Sequence, residues 1–152
     1  MAVFQLAYLS VTTDQFEEDT DIDAILQVAH RKNADSGITG MLLYKGGVFL
    51  QLLEGGRNDV LNLFGRIAAD LRHTNLKILA KQENQERLFP EWTMGYRKIE
   101  DIDIKQLNDI ATWSTFMDKT KLGQTVPNKD IMDLFRNFRF HIGQEKAKEK
   151  TK

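Results

Sequence analysis

Val48-Phe49-Leu50-Gln51-Leu52-Leu53-Glu54-Gly55 is the stretch from which the fold of this chain can be read. Its apolar residues fall at both parities, the pattern of a central strand covered on both faces. Gln51 stands in the middle of it, an amide that must both donate and accept hydrogen bonds in an interior where unmet ones are costly. Gly46-Gly47, just before, suits a tight two-residue hairpin, which makes Ile38 to Tyr44 the partner strand.

Working outward, Val3 to Leu9 reads as a strand with Phe4, Leu6 and Tyr8 on one side and Val3, Ala7 and Leu9 on the other. Thr20 is a candidate N-cap, with Asp21 and Asp23 in the first turn of a helix running to about Ala34. Ile22, Ile25, Leu26, Ala29 and Asn33 share one face of that helix. A second helix is expected from Asn58 to Leu71, with Val60, Leu61, Phe64, Ile67, Ala68 and Leu71 as its apolar stripe. Leu76 to Gln82 forms a fourth strand and Trp92 to Lys98 a fifth, after a loop ending at Phe89-Pro90.

The order β-α-β-β-α-β-β is that of an α+β, ferredoxin-like sheet with both helices on one face. Parallel neighbours and right-handed crossovers place the first and third strands side by side, so Tyr8 and Gln51 lie on adjacent central strands. Two further helices are expected to cover the second face. Ile104, Leu107, Ile110, Ala111 and Ser114 mark one; Ile131, Met132, Phe135, Phe138 and Arg139 mark the other, over Lys129 to Phe140. The chain therefore divides into a first domain over 1–98, a helical extension over 99–142 and a solvated tail over 143–152.

The composition is that of a soluble globular protein, with 152 residues, 41% hydrophobic and 28% charged. A net charge of −1 gives no pull toward nucleic acid or membrane, and no basic stripe interleaved with aromatics appears. The absence of cysteine excludes disulfides and thiol catalysis and fits a cytoplasmic setting. No signal peptide or membrane span is apparent. His30, His73 and His141 are too scattered for a metal site.

Tyr8, Gln51 and Asn33 pattern toward the same layer. A self-satisfied polar network and a bound planar heterocycle between the helices both accommodate the three.

Five stretches in order carry a resemblance: Leu6-Ala7-Tyr8-Leu9-Ser10, Asn33-Ala34-Asp35-Ser36-Gly37-Ile38-Thr39-Gly40, Phe49-Leu50-Gln51-Leu52-Leu53-Glu54-Gly55, Asp70-Leu71-Arg72-His73-Thr74-Asn75 and Phe89-Pro90-Glu91-Trp92-Thr93-Met94. Over residues 3 to about 98 the chain resembles the BLUF family, blue-light sensors that use flavin. The resemblance implies a flavin, FAD or FMN, between the two helices. Tyr8 and Gln51 would meet the ring edge, Asn33 would hold its polar edge, and Ile25 and Ile67 would sandwich it, with Phe49 beside them. Arg66 matches a position near the ring carbonyls or phosphate and Arg72 is a second candidate, although a solvated helix-end charge is the plainer reading of Arg72; Lys32 is either solvated or stabilises negative charge on the ring or phosphate. Trp92 and Met94 match modulating positions on the fifth strand.

The resemblance also implies the mechanism. Tyr8 gives an electron and a proton to the excited flavin, the radical pair recombines, and during that cycle the Gln51 amide rotates or tautomerises to leave a red-shifted state. Ala29 stands where many members carry serine, and Lys32 where histidine or asparagine is common. No output enzyme segment is expected after residue 98, so the signal would pass to a separate protein or through self-association. Trp113, Phe116, Phe135 and Phe138 could form that interface or pack on the sheet. The alternatives are a flavin-free ferredoxin-like regulatory module and a small flavin oxidoreductase; no glycine-rich dinucleotide fingerprint supports the latter.

Overall fold

The computed structural model describes residues 2–99 and 126–142, the backbone alone for 137–142. The expected helix from Ile104 to Ser114, Trp113, Phe116, the side chains of Phe138 and Arg139, and the 143–152 tail lie outside the described residues. Strands β1 (Val3–Thr12), β2 (Thr39–Lys45), β3 (Val48–Gly55), β4 (His73–Asn84) and β5 (Gly95–Lys98) alternate with helices α1 (Glu18–Ser36) and α2 (Arg57–Ala68). Helix α3 (Asn128–Ile142) follows. The sheet order is β4-β1-β3-β2-β5.

β1 and β3 are adjacent and central, as the connectivity requires, but they run antiparallel. Parallel neighbours are found at the β2–β5 edge. Each crossover helix skips one strand position: the hairpin strand β3 fills the gap between β1 and β2, and β1 fills the gap between β3 and β4, each in the opposite sense to its neighbours. Gly46 and Gly47 have φ of 53° and 84°, the left-handed pair that a two-residue hairpin turn needs.

β3 is apolar at both parities because both its faces are covered. Phe49 and Leu53 join Phe4, Leu6, Tyr8, Leu42 and Tyr44 against Ile22 and Leu26 of α1 and Val60 of α2. Leu50 and Leu52 join Ala7, Leu9, Met41 and Leu43 against Ile131, Met132, Leu134 and Phe135 of α3. Helix α3 thus takes its expected place as the lid of the second face.

Among the element boundaries that differ from the sequence expectation, those of α1, α2 and β5 bear on the site. α1 starts at Glu18, so Thr20 lies inside it, and the Glu17 N–H is met by Asp21 Oδ2 at 2.7 Å. Gly37, left-handed at φ 70°, ends the helix, and its N–H bonds Asn33 O. α2 stops at Ala68, leaving Leu71 68% exposed in the turn that follows. That turn is held by Asp70, which takes the Arg72 N–H at 3.0 Å and pairs with the Arg72 guanidinium, while Arg72 reaches Asp21 of α1 at 3.4 Å. β5 begins at Gly95, so Trp92 and Met94 precede it.

Phe135 is fully buried at the centre of the α3 layer, edge-on to Phe89 at 6.4 Å. Phe135→Ala should lower the unfolding free energy by about 3–5 kcal/mol, read from urea titration. The Arg72 hydrogen bonds hold the Asp70 carboxyl below the usual carboxylate range. A depressed folded value means the stabilisation is complete above the unfolded pKa of about 3.9 and fades as pH falls through the folded value. The stability difference between wild type and Asp70→Asn should therefore be flat at neutral pH and shrink in acid, measured by thermal unfolding across pH.

Candidate functional site

Residues facing α1 and α2 come from alternate positions of β1 and β3, and the register pairs Tyr8 directly with Gln51. The Tyr8 hydroxyl donates to Gln51 Oε1 at 2.5 Å. Gln51 Nε2 in turn donates to Met94 Sδ at 3.2 Å. A thioether is a weak acceptor, so the amide is held firmly at its oxygen and loosely at its nitrogen. Burial pushes the Tyr8 phenol well above its ordinary range, with the Asp70 carboxylate adding to the effect. Tyr8 is accordingly a neutral donor. Its ring meets Phe64 edge-on at 5.4 Å and His73 at 6.2 Å.

Asn33 projects from the last turns of α1, where its Nδ2 donates to Thr93 O at 2.8 Å. One turn earlier, His30 Nε2 bonds Met94 O at 3.0 Å. A carbonyl only accepts, so His30 donates there. These two bonds tie α1 to the residues just before β5.

A cavity of about 320 Å³ opens between α1 and α2, within the size range of small-molecule sites. Tyr8, Gln51, Asn33, Met94 and Phe49 line it, with Ile25 and Ile67 on the two helices and Lys32, Arg66 and Arg72 completing its charged portion. Every expected cofactor-binding residue thus borders one space. Ala29 borders it too and offers no hydroxyl. Trp92 does not: it stacks on Phe89 at 5.7 Å in the layer beneath α3, on the other side of the sheet. Arg72 is not the solvated helix-end charge of the plainer reading, because α2 ends four residues earlier and Asp70 and Asp21 engage its guanidinium.

The cavity's polar and apolar parts fit a flavin. Aliphatic side chains from two helices suit a flat ring, amides and a phenol suit its hydrogen-bonding edge, and cations suit a phosphate.

Sequence reading missed Asp70 and His73, which also line the space. His73 Nε2 lies 2.6 Å from Ile67 O and must donate to it, so Nδ1 accepts from Ser10 Oγ at 2.7 Å. Two signals could have found the pair: Ser10 shares the parity of Tyr8, and both Ser10 and His73 lie in the stretches that carry the resemblance. Among the described residues, no helix is long and apolar enough to cross a membrane.

Comparison with known proteins agrees with this geometry. The chain is 42% identical over 90 residues to the photoactivated adenylate cyclase subunit beta of Euglena gracilis, covering 59% of this chain and 10% of that protein. It spans about a tenth of the length of the curated relatives it matches. Among solved structures, the ground state of BlsA matches with a TM-score of 0.61 and 36% identity, over 66% of this chain and 67% of that one. The dark state of BlrB, a BLUF protein, matches with a TM-score of 0.69 and 29% identity, over 90% and 94%. The family model for BLUF, sensors of blue light using FAD, matches residues 3–95, a span that contains both Tyr8 and Gln51: the chain belongs to the BLUF family of blue-light sensors.

Proposed function

We propose that Tyr8 and Gln51 carry the light response of this BLUF domain, with a flavin held between α1 and α2. The observation that most supports this reading is the short bond from the Tyr8 hydroxyl to Gln51 Oε1 on the wall of the cavity. Ile25 and Ile67 would enclose the ring and Phe49 would flank it. Asn33 would hold its polar edge, and Lys32 and Arg66 would meet carbonyl or phosphate oxygens. Arg72 contributes positive charge there while its main task is to fix Asp70 and α1. Bound flavin supplies absorption of blue light and an excited state that takes up an electron.

The chain's own residues do the rest. Tyr8 keeps its proton on oxygen while neutral, because burial disfavours the phenolate. Once the ring has given an electron to the excited flavin, the phenol would become strongly acidic and the bond to Gln51 Oε1 would offer its proton a short path; electron and proton both return to Tyr8 on recombination, so only the hydrogen bonds are left changed. Gln51 can then turn end for end or tautomerise, since among the described residues its nitrogen is held by a weak acceptor, the Met94 thioether. Donor and acceptor exchange places at the ring edge, and that exchange would give the red-shifted state. A leucine or aspartate at 51 could not make it. Met94, which touches Gln51, is the modulating residue we favour; Trp92 would act from the opposite layer.

FAD is the flavin assigned, in keeping with the family's description; FMN shares the ring and would support the same chemistry. In this reading residues 1–98 form the sensor, and the chain from 99 onward lies outside it. The chain itself carries no catalytic step in this reading. Its signal passes in the cytoplasm to a separate protein or to a second copy. A flavin-free module would close its core over Gln51 and Asn33, and the cavity beside them argues against it.

The purified protein should be yellow, and blue light should shift its flavin bands to longer wavelength, reversibly in the dark. A colourless protein that takes up no added flavin would remove the sensor reading. Steady oxidation of NADH or NADPH would favour an oxidoreductase. Tyr8→Phe and Gln51→Leu should retain flavin and lose the shift, and a normal photocycle in either variant would overturn the roles given to them. Chromatography of flavin released by heating distinguishes FAD from FMN.

A further inference from the structure

Glu54 is the second polar side chain on β3, three residues beyond Gln51 and on the opposite face. It is 0% exposed. Its oxygens accept the Leu88 N–H at 2.6 Å, the Phe89 N–H at 2.8 Å and Gln5 Nε2 at 2.6 Å. The photochemical reading gives this buried carboxyl group no task.

The two amides it holds open a strap, Arg87 to Met94, that is pinned along its course. Arg87 Nη1 donates to Thr39 Oγ1 at 2.9 Å. Phe89 O takes the Trp92 N–H at 3.4 Å, and Trp92 O takes the Gly40 N–H at 3.1 Å. Asn33 holds Thr93 O, His30 holds Met94 O, and Gln51 Nε2 ends the series on Met94 Sδ. The strap therefore starts on one β3 side chain and finishes on another. Along the way it crosses from the α3 layer, where Phe89 and Trp92 pack, to the cavity layer, where Met94 packs.

We infer that Glu54 is a positioning residue for the light response: by holding Leu88 and Phe89 it fixes the strap, and so fixes how Met94 stands against the Gln51 amide. This rests on the reading of Gln51 as the group that reorients. A strap without a regular ladder takes its shape from its anchors, and adjacent N–H groups need two acceptors close together. A carboxyl group supplies both. A glutamine supplies one, and its NH₂ would confront the other N–H. Turning the Gln51 amide requires room beside Met94, so a firmly held Met94 slows the turn. Met94 also seats differently against the two orientations of the amide, so the coupling acts on the equilibrium as well as on the rate, and reorientation of Gln51 loosens the hold of Glu54 on Leu88 and Phe89.

The test uses the full flavin-loaded chain and follows dark recovery after a blue pulse. Glu54→Gln should recover roughly fivefold faster, the effect of weakening about one hydrogen bond, with the dark flavin bands unchanged. On a Met94→Leu background the same substitution should change recovery less than about twofold, because coupled sites are not additive. Recovery at the wild-type rate, or an equal acceleration on both backgrounds, overturns the proposal. If Glu54→Gln does not fold, amide exchange in the wild type decides: Leu88 and Phe89 should exchange faster under blue light than in the dark. Equal protection overturns the proposal. A wild type that shows no light-induced shift would instead sink the reading of Gln51 on which the proposal stands.

Discussion

An amide on a strand covered from both sides must find its partners inside the protein, and Gln51 finds them unequally. Its oxygen receives a short bond from a phenol, and its nitrogen gives a long one to a sulfur. The surrounding architecture meets the conditions for that arrangement. β1 must lie beside β3 in the register that sets Tyr8 opposite Gln51, and residue 94 must be brought back over the sheet from the far side of β4. α1 secures the last step, with His30 and Asn33 bonded to consecutive carbonyls of Met94 and Thr93. Both α1 residues lie on one side of the helix, three residues apart, so a single helix face both walls the cavity and holds the strap.

The layers differ in what they ask of their polar groups. In the α1–α2 layer, polar side chains border a space, and a bound molecule can take up the bonding capacity that the protein leaves over. In the α3 layer, Gln5, Glu54 and Gln82 bond one another and the backbone in a closed set, with Gln82 Nε2 donating to Gln5 Oε1 at 2.8 Å. Buried networks of this second kind rigidify their surroundings when every member is satisfied. β3 carries one residue of each kind three residues apart, one poised and one fixed.

Much of this was legible in the sequence because strand parity and helix period are rigid rules. The two-sided apolar pattern of residues 48–54 gave a central strand, and the hairpin glycines and element order put Tyr8 beside Gln51. Asn33 followed from its spacing beyond Ala29. What escaped was information that no single element carries. The antiparallel sense of β1 and β3 depends on which gap each crossover leaves. The separation of Trp92 from Met94 depends on where β5 pairing starts: before Gly95 the chain is irregular, so alternation no longer predicts which face a side chain takes. Leu71 fitted the α2 period, yet Asp70 and Arg72 had already turned the chain. The Ser10–His73 pair needed the β1–β4 register, which shifts between Leu9 and Val11.

That irregular stretch also bears on how a change at Gln51 could travel. A regular strand transmits displacement through a ladder of many bonds, each of which resists it. The strap from Arg87 to Met94 instead runs between side-chain anchors, and its apolar residues divide between the two layers of the fold. Phe89 and Trp92 stack with an interplanar angle of 13°, and Phe89 meets Phe135 of α3 edge-on. Aromatic packing of this sort has discrete arrangements, because close-packed rings cannot slide by small amounts without losing contact. A movement at Met94 would therefore reach α3 as a change of packing state or be stopped at the rings. The strength of the backbone anchors between them decides which.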